Sequence, residues 1–521
     1  MECLTIITLF QCFIHAILRT IYGLLYRSKP APVVKSSNPL LELSATTLAK
    51  KIREGQILSE NVVKAYIERI QEVNPYVNAV IEERFDAALL NAKECDIKIK
   101  NGEVNAMMLE REMPLYGLPF TVKESCGIQG LSQTGCCIAR RGIKAPEDGE
   151  AVQALKNAGA IPLCVTNTSE LCTAFDSTNR LFGSTSNPYD KRLTAGGSSG
   201  GEAALIGSGG SLIGIGSDLG GSVRIPSHFN GIFGHKPTAG IIPIKGHYPM
   251  SDSPHFVKYL TLGPMARYAE DLHLATKVLS SKFGNDLRLD EPVDLQKLRL
   301  FSVDNMSCFM ELRKPSQEIR EVIKVGTNYL VECGAKLHEV PKFWLNNLFD
   351  ILVGTFFASA DYPPILLNKN DPHKENNAII ELLKKTIGKS DHELASILAK
   401  IVIINHGFVS ASRSEECKTM TEDLRHKFIN LLKDDGVLIF PTYPVPAPFK
   451  KQVVWRTDFS IYCVFLNVLQ FPSTHVPMGF TKQGLPIGFQ VVAGPYQDRL
   501  CLAVAKELEK KFGGWKAPGS I

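Results

Sequence analysis

Much that would settle the chemistry early is missing from this sequence. Its thirteen cysteines include no C-x-x-C pair, which removes the usual zinc and thioredoxin-like arrangements. No lysine lies between Arg192 and Lys236, so the glycine-rich stretch there lacks the Gly-Lys-Ser/Thr of a P-loop. In Gly214-Ile215-Gly216-Ser217-Asp218-Leu219, leucine stands where a dinucleotide fingerprint needs its third glycine. Lys and Arg are nowhere clustered with aromatics, and the net charge is only +5 over 521 residues. A nucleic-acid partner is therefore not expected. Internal repeats and long low-complexity segments are also absent. The cysteines are odd in number and scattered, which fits free, buried thiols in a reducing compartment.

What is present is concentrated in residues 194–237. Two Gly/Ser clusters, GGSSGG at 196–201 and GGS at 220–222, flank a small-residue run and an apolar run. Glycine allows close backbone approach and positive φ. Two such clusters around one short helix and one short strand predict N–H groups aimed at an anion or oxyanion. Gly197-Ser198-Ser199-Gly200-Gly201 matches G-x-S-x-G with Ser199 central, but a nucleophile elbow needs an apolar strand before it. Residues 190–195 (DKRLTA) read as a turn, which makes the match accidental. A serine hydrolase without histidine remains, and a lysine can then be the base. Such a lysine belongs at the end of a buried strand, where desolvation favours the neutral amine. Lys123 closes the run PFTVK.

Lys123 in PFTVKE, the run GGSSGGE and the run GSDLGGSVRIP together resemble the amidase signature hydrolases. GHKPT at 234–238, GPMAR at 263–267 and LPIGFQ at 485–490 resemble later landmarks, and the likeness covers about residues 41–515. The resemblance implies an α/β fold with a large twisted mixed β-sheet, helices on both faces and one catalytic domain. It implies Ser222 as the acylated nucleophile, Ser198 as bridging serine and Lys123 as base, with a cis Gly197–Ser198 peptide. Backbone N–H groups of Leu219, Gly220, Gly221 and Ser222 would hold the oxyanion, with Leu219 where isoleucine is common. Ser199, Asp218 and Arg224 are supporting residues, the last two as a local ion pair. His228 and His235 are expected to pack rather than act as bases. No metal or cofactor is required. NPYD at 187–190, FGGW at 512–515 and the apolar N-terminus narrow the likeness to members that cleave fatty-acid amides, such as primary amides and N-acylethanolamines. Three rivals stay open: a short-chain or aryl amidase, the amidase subunit of a tRNA-dependent amidotransferase, and an inactive lipid-binding relative.

The ends add a second theme. Residues 4–25 are apolar and about as long as a spanning helix needs, roughly 20 residues. Gln11, His15 and Arg19 form one polar stripe with Thr5 and Thr8. A single span and an interfacial helix both fit. Basic residues at 19, 27, 29 and 35 put the catalytic part on the cytosolic side, at an endomembrane or a lipid droplet. The expected division is an anchor at 1–28, a linker at 29–40 and a catalytic domain at 41–517. Capped helices open at Ser44 and Ser59, helix then strand follows from 150 to 167, and 298–302 and 436–441 are further strands. Two apolar helices at 378–387 and 394–404 either pack as core or form a membrane-facing lip for a lipid substrate. Whether the chain forms a homodimer is left open.

Overall fold

The computed structural model describes residues 13–14, 16–18, 20–25, 31–305, 314–345, 348–359 and 361–520. Its frame is one mixed sheet of eleven strands. In chain order these are β1 (Val80–Glu83), β2 (Pro119–Lys123), β3 (Ile161–Thr166), β4 (Ile213–Asp218), β5 (Phe233–Lys236) and β6 (Thr261–Ala266), followed by β7 (Arg299–Ser302), β8 (Lys336–His338), β9 (Gly436–Pro441), β10 (Ser473–Phe480) and β11 (Pro486–Ala493). Across the sheet they lie β1-β3-β2-β4-β6-β5-β10-β11-β9-β7-β8. Strands β2, β3, β4, β9 and β11 are buried along their whole length. That is why runs such as GVLIFP show no polar alternation: both faces of those strands are covered.

Helices cover the sheet. α1 (Ala45–Arg53) starts where Ser44 Oγ accepts the Thr47 N–H, and α2 (Ser59–Val77) buries Val62, Tyr66 and Ile70. α3 (Glu150–Asn157) leads into β3. Between β3 and β5 come two short, wholly buried helices, α4 (Gly200–Gly207) and α5 (Arg224–Asn230). Later helices are α6 (Leu348–Ser359), α7 (Ala378–Thr386), α8 (Leu394–Ile404) and α9 (Ile461–Val468). The α/β fold with helices flanking a single large sheet agrees with the sequence reading.

Strand polarity positions the site. β2 and β4 are parallel neighbours, with Thr121 opposite Gly214 and Val122 opposite Ile215. Their carboxyl ends, Lys123 on one and Ser217-Asp218 on the other, therefore emerge side by side, where open α/β sheets place their ligands.

Two expectations change. Residues 190–195 are not a turn: Asp190–Thr194 is a strand paired with Ser186–Asn187 in a two-stranded hairpin apart from the main sheet. Charged side chains on so short a hairpin erase the apolar alternation that marks a strand. Among the described residues no helix is long and apolar enough to cross a membrane, so the spanning reading of residues 4–25 finds no support in them. Gln11, His15 and Arg19, which carried its polar stripe, lie outside the described residues. In the described part, Phe13, Ile17, Ile21, Leu24 and Leu25 are exposed, and the Tyr22 ring stacks on Phe449 with centroids 5.5 Å apart.

Candidate active site

Lys123 is fully buried, and its Nζ donates to Ser198 Oγ (2.7 Å) and Ser217 Oγ (2.8 Å). The adjacent Glu124 turns away and accepts from Ser132 Oγ, Thr134 Oγ1 and the Gly135 N–H. Glu202 is occupied by Thr121 Oγ1 (2.6 Å) and Thr166 Oγ1 (2.8 Å), and burial pushes its carboxyl up to about 8. Both nearby carboxylates are thus engaged by other partners.

Ser198 follows a cis Gly197–Ser198 peptide, and its carbonyl accepts from Thr168 Oγ1 (2.7 Å) and Ser177 Oγ (3.0 Å). Any side chain at Gly197 would meet the Asp176 nitrogen at 2.6 Å, so the turn passes against bare backbone. Ser199 joins the two glycine clusters. Its N–H donates to the Ser222 carbonyl (3.2 Å), and its hydroxyl accepts from the Ser217 N–H (3.3 Å). Ser222 sits on the same cavity as Ser198 and Ser217, just before α5. Gly221, at φ +121°, packs so tightly that a Cβ would lie 2.6 Å from Cys463 Cβ.

The loop carrying Ser222 is clamped from below. Arg224, fully buried, donates to both oxygens of Asp218 (3.1 and 3.0 Å), to Gln490 Oε1 (3.0 Å) and to Asn467 Oδ1 (2.6 Å). Burial alone would raise the Asp218 carboxyl, but the Arg224 guanidinium holds it well below the usual carboxylate range. Asp218 in turn accepts from the N–H groups of Gly221 (2.7 Å) and Val223 (3.1 Å). This corrects one expectation. The Gly221 N–H is spent on the carboxylate of its own loop, which leaves Leu219, Gly220 and Ser222 as candidate oxyanion donors.

Two residues here carried no sequence signal of their own. Ser217 closes the contact between Lys123 and His247, whose Nε2 lies 3.0 Å from Ser217 Oγ while Nδ1 meets the Pro249 carbonyl (2.9 Å). Ser217 could have been found from the β2–β4 pairing; His247 arrives on a loop. His228 and His235 stay apart from this cluster. His228 Nε2 pairs with the Val445 carbonyl, and His235 bridges Thr474 Oγ1 (2.8 Å) and Asp498 (3.1 Å).

Ser198, Ser217 and Ser222 form one end of a cavity of about 610 Å³. The rest of its wall is mainly apolar, with Phe349, Leu352 and Phe356 from α6, Leu398 and Val402 from α8 and Ile461 from α9. α7, paired with α8, turns Ile379, Ile380 and Leu383 outward, each more than half exposed.

Lys123 at the end of β2 thus lies beside Ser198, which shares one cavity with Ser222, at the carboxyl edge of the mixed sheet. The Amidase family model matches residues 61–502, and the chain belongs to that family of amide hydrolases. Within it, the chain is 41% identical to fatty-acid amide hydrolase 2-B of Danio rerio (95% of this chain, 94% of that one). It is 37% identical to fatty-acid amide hydrolase 2 of Homo sapiens (94% and 92%). Indoleacetamide hydrolase of Bradyrhizobium diazoefficiens is 27% identical (91% and 87%). Among solved structures, a fatty acid amide hydrolase superposes with a TM-score of 0.72 at 24% identity (91% and 86%). A crystal structure of amidase gives 0.72 at 24% (90% and 100%).

Proposed function

We propose that the chain is a membrane-associated serine amidase that hydrolyses fatty-acid amides through Ser222, Ser198 and Lys123. The observation that carries this reading is the 2.7 Å contact between Lys123 Nζ and Ser198 Oγ, beside the apolar cavity that Ser198 and Ser222 both line. Ser222 Oγ attacks the amide carbon while its proton passes to Ser198 and the Ser198 proton to Lys123. The carbonyl electrons move onto oxygen, and the N–H groups of Leu219, Gly220 and Ser222 donate hydrogen bonds to that oxyanion. One donor of this kind is worth about 2.7–4 kcal/mol of barrier. The relay then reverses and delivers a proton to the leaving nitrogen, because an unprotonated amide nitrogen leaves poorly. Water attacks the acyl-Ser222 ester by the same route and frees the acid.

The acyl chain is assigned to the apolar wall of α6, α8 and α9. Membrane contact is assigned to the exposed apolar face of α7 and to Phe13, Ile17, Ile21, Leu24 and Leu25, with the catalytic part toward the cytosol. The name carried by the relatives at 37–41% identity supports the substrate class. The test is turnover of oleamide, acetamide and benzamide by the purified protein, with Ser222→Ala beside it. Oleamide should be strongly preferred and the variant should form no acyl-enzyme. Equal or better turnover of acetamide or benzamide would make it a short-chain or aryl amidase.

A further inference from the structure

α8 forms part of the apolar wall of the cavity, yet its own N-cap residue, Glu393, makes no capping side-chain bond. The cap comes from 223 residues away. Glu170 Oε2 accepts the Glu393 N–H (2.8 Å) and the Ser396 hydroxyl (2.8 Å), and Oε1 accepts from His392 Nδ1 (2.8 Å). Glu170, His392 and Ser396 are all at most 2% exposed. His392 Nε2 faces the Asn376 amide nitrogen at 3.2 Å, so the imidazole proton sits on Nδ1 and points at the carboxylate. A second strut joins Thr173 Oγ1 to Ser396 Oγ (2.9 Å).

Both ends of this joint touch the cavity. Glu170 opens the segment whose next residues, Leu171 to Phe175, line the cavity beside Ser198 and Ser222, and the first turn of α8 lines it with Leu394 and Ala395. A carboxylate at a helix N-terminus is favourable, and charged hydrogen bonds are the stronger kind. The first turn of α8 is therefore held on the nucleophile side by Glu170 and Thr173, and on the α7 side by Lys385 Nζ, which donates to the His392 carbonyl (2.6 Å) and to Glu393 Oε2 (3.2 Å). We propose that Glu170 is a positioning residue that sets acyl-chain preference by fixing the first turn of α8 as one wall of the chain channel. This rests on the reading of the cavity as the acyl site.

Glu170→Gln keeps the size but has one accepting oxygen for three donors, so an N–H is left facing an N–H. The test measures kcat and KM for butyramide, octanamide and hexadecanamide with wild type, Glu170→Gln, His392→Ala and His392→Asn. For hexadecanamide, Glu170→Gln should lower kcat/KM about tenfold, carried by KM, while butyramide changes less than about twofold. His392→Ala should show a smaller loss of the same pattern. His392→Asn, whose amide can donate to Glu170, should recover part of it. Equal losses at every chain length, or losses in kcat alone, would reduce Glu170 to a structural residue and overturn the proposal. If Glu170→Gln does not fold, the two His392 variants decide the question by the same pattern. A wild type indifferent to chain length sinks the acyl reading and this proposal with it. A wild type that discriminates, with variants that match it, sinks this proposal alone.

Discussion

At one end of the cavity Lys123, Ser198, Ser217 and Ser222 stand on strand ends and glycine turns with almost no exposure. At the other, α6 and α8 present an apolar wall, and the outer helix α7 leaves Ile380 and Leu383 at 53% and 64% exposure. The first end tolerates little change: Gly197 and Gly221 have backbone or core atoms within 2.6 Å of any added Cβ. The second is built mainly of apolar side chains. On the proposed reading, chemistry demands exact atoms in the first region, and acyl-chain binding demands only a surface in the second. Substitutions at the two ends should therefore fail in different ways.

The largest effect is expected at Ser222, the proposed nucleophile. Ser222→Ala should lower turnover by about 10⁴-fold or more and abolish labelling by a fluorophosphonate, with folding intact by circular dichroism. Lys123→Ala should lose most activity at neutral pH and less at high pH, where hydroxide replaces the base; an equal loss at every pH would remove Lys123 from that role. Next comes the clamp under the loop. Arg224→Ala leaves Asp218 buried without its partner, a change worth roughly 3–5 kcal/mol, read as a drop in unfolding free energy that accompanies the loss of activity. If stability held and only activity fell, the clamp would be catalytic positioning without a structural share.

The two ends were also unequally legible from sequence. On its apolar run alone Lys123 is only one candidate for a base; it is singled out, like Ser198 and Ser222, because PFTVKE, GGSSGGE and GSDLGGSVRIP together resemble a known family. Their partner Ser217 depends on β2 lying beside β4, 94 residues later, which no local pattern encodes. The Gly221 N–H was misassigned for a similar reason: residue type does not tell whether Asp218 folds back onto its own loop. For the wall, spacing located α8 at its observed bounds, Leu394–Ile404. It could not say which face meets the cavity, and the Glu170 joint spans too much sequence to be visible at all. The strand at Asp190–Thr194 was missed because its charges conceal it.

A smaller effect tests how the sealed end tolerates charge. The Glu202 carboxyl is raised to about 8 by burial against an ordinary value of 4.5, so the folded protein holds a proton that the unfolded chain releases. Between those two values the native state binds more protons, and stability must fall as pH rises, with the favourable contribution intact below 4.5 and lost through 8. Glu202→Gln cannot ionise and should flatten that fall, by an amount on the order of a few kcal/mol between the two limits. A denaturant series across the range measures it. A slope unchanged in the variant would assign the pH dependence to other groups.

The smallest effect belongs to the outer helix and is the sharpest separator of the two ends. Leu383 on α7 is too exposed to contribute much to the core, so Leu383→Asp should change unfolding free energy by only about 0.5 kcal/mol. If α7 is the face that meets a bilayer, the same change removes a leucine from hydrocarbon, worth roughly 1.5–3 kcal/mol, and adds a charge. Vesicle binding should then weaken about tenfold or more, while hydrolysis of a soluble short-chain amide stays at the wild-type rate. Phe13, Ile17, Ile21, Leu24 and Leu25 offer a second apolar surface, with Tyr22 against Phe449. Combining Leu383→Asp with removal of residues 1–26 therefore distinguishes additive contacts from a single one. If Leu383→Asp alone leaves vesicle binding untouched, α7 has no part in docking, and its exposed apolar face must be explained by a contact between proteins.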